Sequence, residues 1–352
     1  MVDRAGLDRF QAHRKWENVG YTFRQQDKGD AMIHDSCQRS AVDRRQFLGR
    51  LACGTAAGML GGGLLAAAPR ASAAAPPWTM RLSCSSINFA SLPIEQMCER
   101  IASLGFRAID IWSAHAGCPH LDDVQKRLGP AGLKDLLARH KLKLYAFSVY
   151  AGGYPRYAEL LGKAGGGVAV RGSDGACKPD ELTARMKAFL EALKPEAELA
   201  EKHDSYLAIE NHGGSLLCSL DSFKAFADLN KNPRLGIALA PYHLQAMKAS
   251  VEEAIAVAAR QLFFFYAWQN APGEQQLPGI GPTDCSSWIA ALAKAGYRWY
   301  VNPFMHHEPK PDAMSAALAK SCRYLEQCYE KAVLPTHSFE THIPPENPAK
   351  AP

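Results

Sequence analysis

The chain has 352 residues, with 40 Lys and Arg against 35 Asp and Glu, a formal net charge of +5. Hydrophobic residues make up 47% and charged residues 21%, which excludes a disordered, collagen-like or fibrous chain. Residues 1–77 carry eleven Lys/Arg and seven Asp/Glu, so a net of only +1 is left on the remaining 275, without the basic excess of a nucleic-acid binder.

The leader comes first. Asp43-Arg44-Arg45-Gln46-Phe47-Leu48-Gly49 precedes an uncharged run from Leu51 to Pro69, then the small-residue site Ala71-Ser72-Ala73 and a spacer from Ala74 to Pro77. A basic start, an apolar run and an A-x-A site read as a cleaved export signal, separate from the fold. The paired arginines before Phe47-Leu48 resemble the twin-arginine signal, although Asp43 stands where Ser or Thr is usual and Gly49 where Lys is frequent. The resemblance implies a periplasmic protein with no stable membrane association after cleavage. An uncleaved anchor is the alternative, but Gly58, Gly61, Gly62 and Gly63 make the run weakly hydrophobic. Eight cysteines lie beyond the leader without a C-x-x-C pair, so a zinc ribbon or dithiol site is not expected, and buried thiols and disulfides both stay open.

From residue 80 short apolar runs alternate with amphipathic stretches. The pattern predicts strands over Met80–Phe89, Phe106–Trp112, Lys143–Tyr150 and Gly167–Arg171, then over Tyr206–Asn211, Leu235–Ala240, Leu262–Trp268 and Tyr300–Phe304. Between them it predicts helices over Pro93–Leu104, Gly132–Lys141, Arg156–Lys163 and Pro179–His203, with Pro195 kinking or dividing the last. Further helices are expected over Leu220–Leu229, Val251–Ala259, Ser286–Lys294 and Ala313–Ala332. Eight alternations over about 250 residues match a (β/α)8 TIM barrel. An open doubly wound sheet would need a Gly-rich turn after the first strand, where Ser85-Ser86-Ile87-Asn88 stands instead. The expected division is a leader over 1–77, a barrel over 78–334 and a Pro-rich tail over 335–352.

Chemistry in such a barrel collects at the C-terminal ends of the strands. Those ends carry Asn88, then Trp112 with His115 and His120, then Phe147, Tyr150 and Arg171. The later ends carry Glu210 with His212, His243, Tyr266 with Gln269, and His306, His307 and Glu308. Four of the eight ends bear histidine, and titratable groups converging on one mouth point to an active site.

Ser91-Leu92-Pro93-Ile94-Glu95 through Leu104-Gly105-Phe106-Arg107-Ala108-Ile109-Asp110-Ile111-Trp112 resembles the opening of the xylose isomerase-like TIM barrels, the sugar phosphate isomerases and epimerases. Leu207-Ala208-Ile209-Glu210-Asn211-His212-Gly213-Gly214 is similar to that family's fifth strand, and Leu277-Pro278-Gly279-Ile280-Gly281 to its seventh loop. The resemblance implies a divalent metal held by two glutamates, an aspartate and a histidine, which polarises a sugar while carboxylates move a proton between carbons. Carried over by position, Glu210 matches the first ligand and His243 the histidine of an Asp-x-x-His whose aspartate falls on Ala240. Strand seven ends in Tyr266-Ala267-Trp268-Gln269 and offers no ligand, and the last glutamate falls near Phe304.

A rebuilt metal site would use Glu210, His243 and His306 to hold manganese, zinc, cobalt or magnesium, or no metal binds at all. Glu210 and His243 are the expected catalytic pair. Trp112, His115, Tyr150, His212, Tyr266 and Gln269 are expected to bind a small-molecule carbohydrate. Two functions stay open: a sugar isomerase or epimerase working by proton abstraction, and an inactive barrel that binds carbohydrate.

Overall fold

A computed structural model describes residues 78–333; the leader with its twin-arginine motif and the proline-rich tail lie outside the described residues. The chain begins with β1 (Ser83–Ser85), α1 (Ile94–Ser103), β2 (Ala108–Trp112), α2 (His120–Asp123), α3 (Gly129–Arg139) and β3 (Lys143–Ser148). It continues with α4 (Tyr154–Lys163), β4 (Gly167–Gly172), α5 (Leu182–Ala192), α6 (Lys194–Lys202), β5 (Ser205–Glu210) and α7 (Leu220–Leu229). The rest is β6 (Leu235–Leu239), α8 (Pro241–Ala246), α9 (Val251–Ala258), β7 (Leu262–Ala267), α10 (Ser286–Lys294), β8 (Val301–Pro303) and α11 (Pro311–Val333).

The eight strands are parallel and hydrogen-bonded in chain order. Leu82 bridges Val301 across the seam, and the Val301 N–H donates to the Arg81 carbonyl at 2.8 Å. The expected (β/α)8 architecture is present as a nearly closed barrel. Alternation along each strand makes two cores. Ile109, Ile111, Leu207, Ile209 and Phe265 pack outward with helix residues such as Ile101, Leu133 and Ile289. Ala108, Trp112, Ala146, Val168, Ala208 and Phe264 pack together inside the barrel. All six residues of β7 are buried, as an apolar run between helices and lumen requires.

Local chemistry sets the helix ends. Ser219 Oγ accepts from the Ser222 N–H at 3.2 Å and Ser222 Oγ accepts from the Ser219 N–H at 2.9 Å, a reciprocal cap that starts α7 at Leu220. The predicted long helix is split into α5 and α6 across Leu193, because Pro195 has no N–H to continue the ladder. Six strands, β1, β2, β3, β6, β7 and β8, are shorter than predicted. β1 ends at Ser85 and the chain turns into a helical turn over Ser86–Phe89, where Ser86 Oγ accepts the Trp112 N–H at 2.9 Å. β8 ends at Pro303, which has no N–H for a neighbouring strand. Two short helices, α2 and α8, were not foreseen; four- and six-residue helices show too little periodicity to read. Cys84, Cys98, Cys118, Cys285, Cys322 and Cys328 are buried free thiols.

The barrel floor is a plug of aromatic rings. Tyr145 stacks on Phe264 at 4.9 Å, and Tyr206 meets Phe263 at 5.3 Å and Trp299 at 5.2 Å edge-on. Arg81 and Arg234 lie over Tyr300 and Tyr206 from outside, 4.7 and 4.8 Å from the ring centres. β6 passes this plug at Gly236, where an added Cβ would stand 2.5 Å from the Phe263 ring and 2.4 Å from the Gln261 carbonyl. Gly236→Ala is therefore expected to destabilise the fold by about 1–3 kcal/mol, the usual cost of overpacking. Urea denaturation midpoints check this; an unchanged midpoint would contradict the packing.

Candidate active site

The barrel's middle layer is built around a carboxylate. Asp110 is the central residue of β2 and fully buried. Its neighbours Ile109 and Ile111 face the helices, so alternation turns Asp110 into the lumen beside Trp112. Asp110 Oδ2 accepts from Trp112 Nε1 at 2.6 Å and Ser85 Oγ at 2.8 Å, and both carboxyl oxygens lie 3.0 Å from Ser148 Oγ. Burial pushes its pKa up to about 6, with these donors holding it from rising further.

Glu210 ends β5 one layer higher, nearer the mouth, with 9% of its surface exposed. Its Oε2 accepts from the Tyr150 hydroxyl at 2.7 Å. Loss of water raises its pKa to about 7; the Tyr150 hydrogen bond opposes the rise and the charge of Asp110 adds to it. Tyr266, buried on β7, places its hydroxyl 3.1 Å from Tyr150 Oη and 3.4 Å from Ser148 Oγ, between the two carboxylates.

Aromatic rings enclose this carboxylate. Trp112 stacks on Phe304 at 5.4 Å and meets Tyr150 at 5.0 Å and His306 at 6.0 Å. Trp268 stacks on Tyr242 at 4.3 Å and meets His306 at 5.1 Å and His243 at 5.2 Å. Pro241 opens α8 and sets His243 in its first turn, where the ring lies 4.0 Å from that of His212. Burial, with the charges of His212 and His306 adding to it, pushes the pKa of His243 down to about 3. Burial likewise lowers His306 to about 4, so both rings are neutral near pH 7. His243 Nε2 is buried with no partner among the described residues. His115 is exposed at the rim, 5.4 Å from the Tyr150 ring, and the exposed His212 ring points Nδ1 at the Gly213 carbonyl at 2.8 Å.

Other strand-end residues have local duties. Gln269 is fully buried, its Nε2 donating to the Leu277 carbonyl and its Oε1 accepting from the Thr283 N–H, both at 2.8 Å. The side chain expected at the sugar thus pins the loop after β7. Arg171 turns outward and pairs with Glu196 of α6, so it does not lock Glu210. His120 is buried below the rim against the Leu92 carbonyl at 2.9 Å. Asp110 lies in the middle of β2, below the strand ends, whereas Ser148 is the last residue of β3 and was not distinguished from its neighbours Phe147 and Tyr150. One signal was legible: a charged residue inside the apolar run Ala108–Trp112, on the same face as Trp112.

The metal implied by the resemblance fails on its donors. Its four positions hold Glu210, Ala240, a strand end without ligand, and Phe304, so one carboxylate survives and a methyl and a phenyl ring replace two others. The rebuilt set of Glu210, His243 and His306 also fails: among the described residues no group of three or more His, Cys, Asp or Glu is placed to hold a metal ion. The ring neighbours of His243 are His212, Tyr242 and Trp268. At the opposite end of the barrel a hollow of about 440 Å³ runs among Asn230, Gln261, Tyr297 and Arg298, and no carboxylate or imidazole lines it.

The raised pKa of Glu210 has a consequence for stability. Its folded value lies above its ordinary 4.5, so its contribution is fully present below about pH 4.5 and is lost as pH rises through about 7. Glu210→Gln is neutral at every pH and escapes that loss. The variant is expected to match the wild type at about pH 5 and exceed it in urea midpoint at about pH 8. A variant less stable than wild type at the higher pH would contradict the burial of this charge.

A family model of the xylose isomerase-like TIM barrel matches residues 98–328. No curated protein matches the chain. Among solved structures it is similar to the 3-keto-D-glucoside 4-epimerase YcjR from E. coli, with 16% identity and a TM-score of 0.54 over 70% of this chain and 100% of that one. It is also similar to the IOLI protein, whose structure carries a bound zinc atom, with 15% identity and a TM-score of 0.57 over 72% and 99%. A xylose isomerase-like TIM barrel/4-hydroxyphenylpyruvate dioxygenase fusion protein aligns at 15% identity and a TM-score of 0.55, over 72% of this chain; the chain spans only 43% of that protein's length. At these identities the likeness to solved structures concerns the fold alone. The family model covers well over half the sequence, and the chain belongs to the xylose isomerase-like TIM barrel family.

Proposed function

We propose that this chain acts on a sugar or sugar derivative as an isomerase or epimerase, with Glu210 as the reacting carboxylate and without the four-ligand metal centre implied by the resemblance. The observation that carries this reading is a carboxylate near the mouth, partly open, poised near neutral pH and walled by aromatic rings. A carboxylate whose pKa lies near the working pH is suited to take a proton from a carbon beside a carbonyl and to give one back. The half-buried Tyr150 and Tyr242 rings are placed to meet a sugar ring, with Trp112 and Trp268 packed behind them. His243 is neutral and its Nε2 unpartnered, so it can hydrogen-bond a substrate hydroxyl or carbonyl. Solved relatives of the same fold include a sugar epimerase, which supports the substrate class.

The replacement of two ligand positions by Ala240 and Phe304 favours a second reading, a barrel that binds carbohydrate without turnover. Kinetics and binding on a panel of aldoses, ketoses and keto-glycosides separate the two. In the first reading Glu210→Gln lowers kcat at least about 100-fold, the usual contribution of a positioned base, and changes the sugar Kd only a few-fold. Full turnover in Glu210→Gln would remove the assignment. Tight binding by a wild type that turns over no sugar establishes the binding barrel instead.

The proposal includes export. Arg44, Arg45 and the Ala71-Ser72-Ala73 site support periplasmic delivery of a barrel spanning 78–334, with 335–352 as an appended tail and no stable membrane association after cleavage. The near-neutral body supports a small-molecule partner and no nucleic acid. Arg44→Lys with Arg45→Lys is expected to abolish export, and N-terminal sequencing of the exported wild type to begin just after Ala73. An exported form that retains Arg44 and Arg45 would contradict cleavage.

A further inference from the structure

Trp268 directly follows β7 and is 5% exposed. Its ring stacks on Tyr242 at 4.3 Å and meets His243, Phe304 and His306 edge-on at 5.2, 5.2 and 5.1 Å. Ring packing of this kind tolerates rotation, whereas a hydrogen bond is directional. An indole has one polar hydrogen, on Nε1, and Trp268 donates it to Gln276 Oε1 at 2.7 Å. The same oxygen accepts the His306 N–H at 3.0 Å. Gln276 is buried at the end of the helical turn Gly273–Gln276, and its carbonyl accepts the Gln269 N–H at 2.9 Å. One side-chain oxygen therefore joins the loops after β7 and β8 to the ring that backs Tyr242.

The main chain around it is held by other groups. Gln269 donates to the Leu277 carbonyl and accepts from the Thr283 N–H, both at 2.8 Å. Gln245 Oε1 accepts the Asn270 N–H at 2.8 Å, and Asn270 Nδ2 donates to the Tyr242 carbonyl at 3.3 Å, which ties α8 to the same loop. Among the described residues the Gln276 amide reaches only Trp268 and His306. We propose that Gln276 is a positioning residue that fixes the Trp268 ring, and through it the half-buried Tyr242 ring, as one wall of the sugar cleft.

A wall set before binding spares the sugar the cost of ordering two rings. Gln276 touches no substrate and acts through Trp268. Its loss weakens the ground state and the transition state alike, which raises KM and leaves kcat nearly unchanged. The inference rests on the proposed binding of a sugar at this mouth, and it applies to the enzyme and to the binding barrel alike.

The test combines ¹⁵N-tryptophan-labelled protein, in which Trp268→Phe identifies the Trp268 indole signal, with the panel of aldoses, ketoses and keto-glycosides. Gln276→Leu keeps the bulk of the side chain and removes its acceptor, whereas Gln276→Glu keeps an acceptor for each N–H. In Gln276→Leu the Trp268 indole signal is expected to move and broaden. The Kd or KM of a sugar that wild type binds should rise at least about 5-fold, with kcat within about 2-fold. Gln276→Glu should restore both the signal and the binding. In a Trp268→Phe background, Gln276→Leu should add nothing further to the loss of binding, since the two act as one unit. Circular dichroism checks the fold. Should Gln276→Leu fail to fold, Trp268→Phe, which keeps a ring without the donor, must show the same rise in Kd; an unchanged Kd there overturns the proposal. An unmoved indole signal in Gln276→Leu, or an unchanged Kd beside a moved signal, overturns it and leaves the proposed function standing. A wild type that binds no sugar of the panel removes both.

Discussion

A carboxylate placed in the lumen of a barrel must be supplied with donors, and Asp110 imposes that demand on its neighbours. Ser85 of β1, Trp112 of β2 and Ser148 of β3 each spend a hydrogen on it. Those bonds fix the Trp112 ring, and the Trp112 ring in turn supports Phe304, Tyr150 and His306 at the mouth. The same residue contributes to the raised pKa of Glu210 across the lumen. Burying one unpaired charge thus couples the middle layer to the site above it. The floor below is closed by aromatic rings.

The mouth differs from the donor set that the resemblance implies in a consistent way. Where ligands would stand, Ala240 and Phe304 bring apolar surface, and the loop after β7 is pinned by Gln269. Removing ligands and adding rings lowers the local polarity, which raises Glu210 and depresses His243 and His306. A carboxylate that would be held ionised beside a cation becomes a group that titrates near neutrality. On the reading proposed above the substitutions change the working chemistry rather than remove it, and carbohydrate binding is the property common to both proposed readings.

Much of the architecture was legible in the sequence because alternation and capping act locally. The Leu220–Leu229 helix could be read to the residue, since Ser219 and Ser222 cap each other within four positions. The division at Pro195 followed from a missing N–H. The (β/α)8 count followed from eight apolar runs, although the register that places Asp110 beside Ser148 did not. That register includes an irregularity between Ile109 and Asp110, a tertiary feature with no sequence mark. The site was read less completely. Strand-end logic found Glu210, His243, Trp112 and Tyr150 at one mouth but could not tell Gln269, which turns into its own loop, from residues facing the lumen. Strand-end logic does not reach Asp110, whose place is the middle of β2.

The central claim is that Glu210 moves a proton on a sugar carbon through its own tuned basicity. Deuterium exchange into the sugar measures this directly: protein treated with a chelator is incubated with each candidate sugar in D2O, and C–H signals are followed by NMR against pH. The account expects exchange at one carbon beside the carbonyl, rising with pH to a plateau above about 7 as Glu210 ionises, and absent from Glu210→Gln. Exchange that appears only after a divalent metal is restored, or that persists in Glu210→Gln, would contradict it.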